Sequence, residues 1–466
     1  MEEEYEEFSQ EQINELVERF EASIKETNSA YFDVEEFEEI IDYYDVTHDT
    51  KRLNIALKTA SSIHPNHSFF KLKEAQRQMS SKRYSIAISI LNDILEIEPE
   101  NYMALQTLAF TYSNMGNHQR SLEIHLRTLA LTSDLKDVYM NVAYEYESLH
   151  DYDKAVVYLK KILENDHEDE GALYEILFCY EVSKNMDESV KFFSNFVDDH
   201  PYSQTAWFNL GITYSNLELY EKAIDAYDYT LAIDEGFSSA YFNKANALIN
   251  INKYKEAIDN FNDTFIYEEP DSTTHMYIGQ CYENLDNRDA AIKHYYKAIE
   301  INDKLPEAYV NIALLYFNIE NYSKALPMIK LALEISPDNV DFKYILGDII
   351  AEMEDYETAA GVYIDIAEAD PDNKEVYFDL AGIYWNMGNK EDAFAILEKG
   401  IEVSKINYRN YVRLAEFYYE LGDKNMSLNY ISVACNSNME GCLELISGIT
   451  HLMEDEAVRE LIDLKK

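Results

Sequence analysis

Bulky apolar residues return along this chain at intervals of three and four, in paired short stretches separated by polar turns, from Phe37 to near the C-terminus. That spacing lines one face of a helix, so the pattern predicts amphipathic helices along the whole chain. Above it runs a longer cadence. Stepping 34 residues at a time from Trp207 reaches Tyr241, His275, Tyr309, Lys343, Tyr377 and Tyr411 forward, and Leu173, Tyr139, Leu105, Lys71 and Phe37 backward. Seven residues after each reference position lies a second bulky residue, such as Tyr112, Tyr214, Tyr282 or Tyr384, with Gln78 the exception.

Small residues keep the same register. Four residues after the reference stand Gly211, Ala245, Gly279, Ala313 and Gly347; sixteen after it stand Ala223, Ala257, Ala291 and Ala325. Proline recurs twenty-eight after it, as Pro65, Pro99, Pro201, Pro337 and Pro371. Each period therefore holds two helices. Small residues let their backbones approach, and the tyrosines and Trp207 fill the gaps. Proline ends the second helix, and Asn339 and Asn373 are placed to cap the next one. Pro327 falls inside a second helix, where a local kink is expected.

The register needs no insertion from residue 34 to residue 441, giving twelve units of 34 residues: 34–67, 68–101 and onward in equal steps to 408–441. Residues 1–33 read as an acidic lead and one capping helix. Ser9 with Gln12 makes a capping box, Phe8 with Ile13 a staple, and Ile13, Leu16, Val17, Phe20 and Ile24 an apolar face. Residues 442–466 read as a truncated thirteenth unit that covers the other end through Leu445, Leu452, Val458, Leu461 and Ile462.

The pattern resembles the tetratricopeptide repeat family across nearly the whole chain. Residues 204–237 show it well, with Trp207, Leu210, Gly211, Tyr214, Ala223 and Tyr227 on the family's signature positions. The resemblance implies an all-α, right-handed superhelical solenoid that holds protein partners. It also implies a groove lined by positions 2, 5, 9, 12 and 13 of each first helix. Those positions are apolar or aromatic at Phe110, Tyr144, Tyr174, Phe178, Phe208, Ile212, Phe242, Met276, Phe317, Tyr344, Phe378, Trp385 and Tyr419. They are acidic at Glu147, Glu181, Asp348, Glu352, Glu416 and Glu420, and basic only at Arg409. Such a groove suits an apolar segment carrying Lys or Arg. Family members that clamp acidic chaperone tails use Lys and Arg at positions 2, 5 and 6. This chain has Phe208, Phe242 or Val310 at position 5, so chaperone tails are not expected partners.

Charge sharpens this picture. The chain has 88 acidic and 39 basic residues, a formal net charge of -49. So negative a surface repels nucleic acid and anionic membranes, and attracts basic proteins in a salt-sensitive way. The alternative reading is that the charge only keeps a long, exposed solenoid soluble. No apolar run is long enough to span a bilayer, and the N-terminus lacks a signal-peptide pattern, so the chain reads as cytoplasmic. Its four cysteines form no disulfide framework and match no common zinc spacing; they read as buried thiols.

No reaction chemistry stands out. There is no His-Glu-x-x-His, no phosphate-binding glycine loop and no Gly-x-Ser-x-Gly. The eleven histidines are scattered, the acidic clusters read as solvated faces, and no cofactor or metal site is expected. The residues outside the twelve units are too few for a catalytic domain. The sequence thus points to a non-enzymatic scaffold or adapter. The alternative is a structural subunit that self-associates or sits in a permanent complex.

Overall fold

The computed structural model describes residues 9–26, 31–373, 375–404 and 406–465. Among them it contains twenty-eight helices and no strand. The chain divides into two compact units, Met1–Ala240 and Tyr241–Lys466.

The first unit opens with α1 (Gln10–Glu26) and continues as helix pairs. These are α2 (Val34–Val46) with α3 (Thr50–Ile63), α4 (Ser68–Ser80) with α5 (Tyr84–Ile97), and α6 (Tyr102–Asn114) with α7 (His118–Thr128). Then come α8 (Lys136–Ser148) with α9 (Tyr152–Asn165), α10 (Glu170–Val182) with α11 (Met186–Asp199), and α12 (Gln204–Asn216) with α13 (Tyr220–Ile233). Every first helix from α2 to α12 begins 34 residues after the one before. Each packs on its own second helix, which in turn packs on the next first helix.

The expected box at the start of α1 is present. The Ser9 N–H donates to Gln12 Oε1 at 2.7 Å, and the Gln12 N–H to Ser9 Oγ at 3.4 Å. Phe8 lies outside the described residues. Leu16, Val17 and Phe20 are buried against Phe32, Phe37, Ile40 and Tyr44, whereas Ile24, assigned to the same face, is exposed. Ile24 stands one turn past Phe20, near the end of the helix.

A helix α14 (Ser238–Asn250) starts at the boundary, and the second unit repeats the plan. It holds α15 (Tyr254–Tyr267), α16 (Ser272–Asn284), α17 (Arg288–Ile301), α18 (Pro306–Phe317), α19 (Tyr322–Ile335), α20 (Val340–Glu352) and α21 (Tyr356–Ala369). Next follow α22 (Val376–Asn386), α23 (Lys390–Val403), α24 (Tyr408–Glu420) and α25 (Lys424–Ser437). Asn339 caps α20, its Oδ1 accepting from the Phe342 N–H at 3.1 Å, and Asn373 accepts from Glu375 and Val376 before α22. Pro327 lies within α19, which runs on past it. Three short helices finish the chain: α26 (Met439–Ser447), α27 (Thr450–Glu454) and α28 (Glu456–Lys465). Their Leu452, Val458 and Ile462 are buried with Val412, Ala415 and Ile431, while Leu445 and Leu461 pack at the edge of that cluster.

The turn inside each pair has one shape. Its residue with positive φ is His48, Lys82, Gly116, His150, Lys184 or Glu218 in the first unit. In the second it is Asn252, Asp286, Glu320, Glu354, Gly388 or Gly422. Each follows its first helix and lets the chain reverse into the second, a left-handed step that glycine takes most easily. Only three of the twelve are glycine.

Candidate protein-binding faces

In the first unit, consecutive first helices place one residue each at a matching point of a shared face. Phe110 on α6, Tyr144 on α8 and Phe178 on α10 are spaced 34 residues apart and are 39%, 43% and 46% exposed. Tyr174 is exposed one turn before Phe178, and Ile212 on α12 is half-buried. Large apolar side chains left in water at a regular spacing are costly unless something covers them.

Carboxylates run between these rings. The Tyr144 hydroxyl donates to Glu175 Oε1 at 3.4 Å, and Asn216 Nδ2 donates to Glu181 Oε1 at 2.7 Å. The Cys179 thiol donates to Glu147 Oε1 at 3.5 Å. Burial, reinforced by the neighbouring Glu175, pushes the Glu147 carboxyl up to about 7. The Cys179 thiol is raised by the same burial and by Glu147, so it is unreactive. Asparagine at the sixth position works as a tie: Asn209 Nδ2 donates to the Leu173 carbonyl at 3.0 Å, joining α12 to α10.

In the second unit, α20, α22 and α24 enclose a cavity of about 370 Å³ lined by Asp348, Glu352, Asp379, Trp385, Glu416 and Glu420, among others. Trp385 stacks flat on Phe417, ring centroids 4.0 Å apart, and its indole N–H donates to Glu420 Oε2 at 2.7 Å. Asp348 accepts from the Tyr363 hydroxyl at 2.5 Å. Two guanidinium groups lie over the Phe378 ring, Arg409 at 4.7 Å and Arg413 at 3.9 Å, each paired with a carboxylate: Glu375 at 2.9 Å and Glu416 at 2.7 Å. Burial pushes the Asp379 carboxyl up to about 6, and Asp348 adds to this while both arginines oppose it.

These contacts sort the residues chosen from the sequence. Asp348 and Trp385 share the second unit's cavity. Tyr344 donates to Asn373 at 2.9 Å, and Tyr419 to Asp455 at 3.0 Å, both half-buried on helices of the same set. Phe178 and Ile212 belong to the first unit's face. Phe242 is half-buried between Phe261 and Tyr277, and Phe317 against Tyr322.

Three choices lie inside instead. Phe208, 6% exposed, packs on Tyr227 and Phe237. Met276 sits in the cluster around Tyr295, and Phe378, 5% exposed, lies beneath the two arginines. Each is fifth in its 34-residue unit, a point that neighbouring side chains cover here although Tyr174, at the same point, is exposed.

The sequence also missed Arg413. It stands sixth in α24, where four other units carry asparagine (Asn141, Asn209, Asn243 and Asn311), and it makes the face less uniformly acidic than the sequence indicated. No helix among the described residues is long and apolar enough to cross a membrane.

Among known families, one tetratricopeptide-repeat model matches residues 136–168, 204–234, 238–263, 274–305 and 306–339, and a second matches 351–405. No curated protein matches the chain. Among solved structures, the C-terminal part of a TPR repeat-containing protein from Cytophaga hutchinsonii is 16% identical. That match covers 55% of this chain and 99% of that one, with a TM-score of 0.45. A tetratricopeptide repeat protein from Parabacteroides merdae is 16% identical over 60% of this chain and 99% of its own, TM-score 0.37. The APC/C hetero-tetramer Cut9–Hcn1 is 13% identical over 87% of this chain and 93% of that one, TM-score 0.37.

Proposed function

The chain is a tetratricopeptide-repeat protein, a scaffold for protein–protein interaction, and we propose that it is non-enzymatic and holds a protein segment carrying both apolar and basic residues. The twelve units of residues 34–441 form the binding body, and each compact unit uses the face of its own first helices. The observation that carries this reading is the exposed series Phe110, Tyr144 and Phe178, set among Glu147, Glu175 and Glu181. Aromatic rings supply contact area at low entropic cost, and the carboxylates select a cationic partner and speed its approach. In the second unit, Asp348, Trp385, Glu416 and Glu420 offer the same combination.

A displayed library of random peptides, selected on the full chain, tests this reading. Enriched peptides should combine Lys or Arg with Leu, Phe or Trp, and should bind a Phe110→Ala, Tyr144→Ala, Phe178→Ala triple variant much more weakly. Enrichment of acidic peptides, or equal binding to the triple variant, would overturn it. A concentration-dependent dimer that buries the same rings would instead favour the structural-subunit alternative.

A further inference from the structure

We propose that Glu416, Glu420 and His451 form a binding site for a divalent transition-metal ion of the zinc class. Glu416 and Glu420 are four residues apart on α24 and so share one helix face. His451 reaches them from α27. One ligand atom from each of the three lies within 4.8 Å of the others. A zinc-class ion takes nitrogen and oxygen ligands at about 2.0–2.2 Å, which sets tetrahedral donors about 3.3–3.6 Å apart, so a pair at the 4.8 Å limit closes by about 1.2–1.5 Å through side-chain rotation to share one.

Each ligand is already held by a neighbour, as ligating groups are. Arg413 donates to Glu416 Oε2 at 2.7 Å, and the Trp385 indole to Glu420 Oε2 at 2.7 Å. A carboxylate that accepts one such bond keeps its second oxygen for an ion. The His451 ring packs on Tyr419, centroids 5.4 Å apart.

A second observation points the same way. His451 Nε2 is shut off from solvent and has no hydrogen-bond partner among the described residues. Packing against Tyr419 alone accounts for the ring but leaves this nitrogen unsatisfied, whereas a metal site gives the imidazole a use. The surroundings favour a cation, since Glu454, Asp455, Glu456 and Glu460 line the adjoining cavity with Lys424 as the counter-charge. Imidazole among carboxylates selects zinc-class ions over magnesium or calcium.

The ion would pin α27 against α24. Two of its ligands also line the Asp348–Trp385 cavity, so occupancy would lower the negative charge of that face.

The test is a calorimetric titration of the full, chelator-treated chain with Zn²⁺, in excess Mg²⁺ and physiological salt. One saturable equivalent is expected. Its affinity should fall at least about tenfold in His451→Gln, Glu416→Gln and Glu420→Gln, and stay unchanged in Glu454→Gln, which removes a nearby carboxylate that is not a ligand. Fluorescence of Trp385 in a Trp207→Phe background should change at the same equivalence point. The proposal falls if no saturable site is found, or if His451→Gln binds like the parent. It falls equally if Glu454→Gln loses as much affinity as the others, since the attraction is then general to the acidic surface. Should His451→Gln fail to fold by circular dichroism, the two glutamine variants on α24 decide the matter.

Discussion

Gly211 and Tyr227 fit together only because residue 211 lacks a side chain: a β-carbon there would lie 2.4 Å from the tyrosine Cε1. The match recurs at Gly279 with Tyr295 and at Gly347 with Tyr363. Where the second helix carries leucine, the first carries alanine in Ala75 with Leu91 and Ala143 with Leu159, whereas Leu57 is matched by Ile41. Gly211→Ala should therefore destabilise the first unit by about 1–2 kcal/mol. Overpacking costs about 1–3 kcal/mol, and the helix preference of alanine returns up to about 1. Adding Tyr227→Leu should restore most of the loss, as read from urea denaturation midpoints.

The left-handed turns lead to an opposite expectation. Glu218 and Glu320 adopt φ near 60° on the surface, where a β-carbon is strained. Replacing either by glycine should raise stability by about 0.5–1 kcal/mol, after allowing for the flexibility glycine adds to the unfolded chain. Gly116→Ala should cost a similar amount although nothing stands within 4 Å of the new carbon. Thermal melts of the three variants would check both signs.

Glu147 couples the first unit's stability to pH. Its folded value of about 7 lies above the ordinary 4.5, so between those values the folded chain holds a proton that the unfolded chain has released. Its contribution is fully present below about 4.5 and is lost as pH rises through 7. Glu175, the Cys179 thiol and Tyr144 are the titratable neighbours that face it. Glu147→Gln should make the first unit more stable than the parent at pH 8, with the gap closing toward pH 4.5.

His294 acts in the reverse sense in the second unit. Burial, then the adjacent His275 with its Nδ1 3.2 Å away, and then Lys297 and Lys293 lower it from 6.5 to about 4. In that window the unfolded chain binds the extra proton, so stability present above 6.5 is lost as pH falls toward 4. A His294→Gln variant should lose much of that acid sensitivity in chemical denaturation measured across the window.

Half-buried Trp385 should prove structural as well as accessible from the cavity. Its stack on Phe417 and its bond to Glu420 make Trp385→Ala cost about 2–3 kcal/mol, below the about 3–5 of a fully buried tryptophan because one face is open. Trp385→Phe keeps the stack and should cost less. Denaturation of both variants separates the ring from the hydrogen bond.

The helix pairs were readable in advance because tyrosine, alanine and proline each mark a fixed point of the 34-residue period. The direction of individual side chains was not. Phe178 and Phe208 both sit where the family lines its groove, yet Phe178 stands in water while Phe208 is covered by Phe237 of the adjoining stretch. Only the arrangement of neighbouring helices separates those cases. The left-handed turns were equally silent, since histidine, lysine, glutamate, asparagine and aspartate occupy most of them. So was the meeting of Glu416 and Glu420 with His451, which depends on α27 folding back onto α24. The Cys435 and Cys442 sulfurs likewise come to 3.2 Å only because α26 reverses on α25.

Because every pair leans chiefly on the pair before it and the pair after it, each compact unit behaves like a stack of linked tiles. Its outermost tile loses one neighbour and can come away while the interior stays intact. Deuterium should therefore enter in a gradient, fastest at the tile with the least cover and slowest midway along each unit. A partner spanning several first helices would bolt successive tiles together and flatten that gradient.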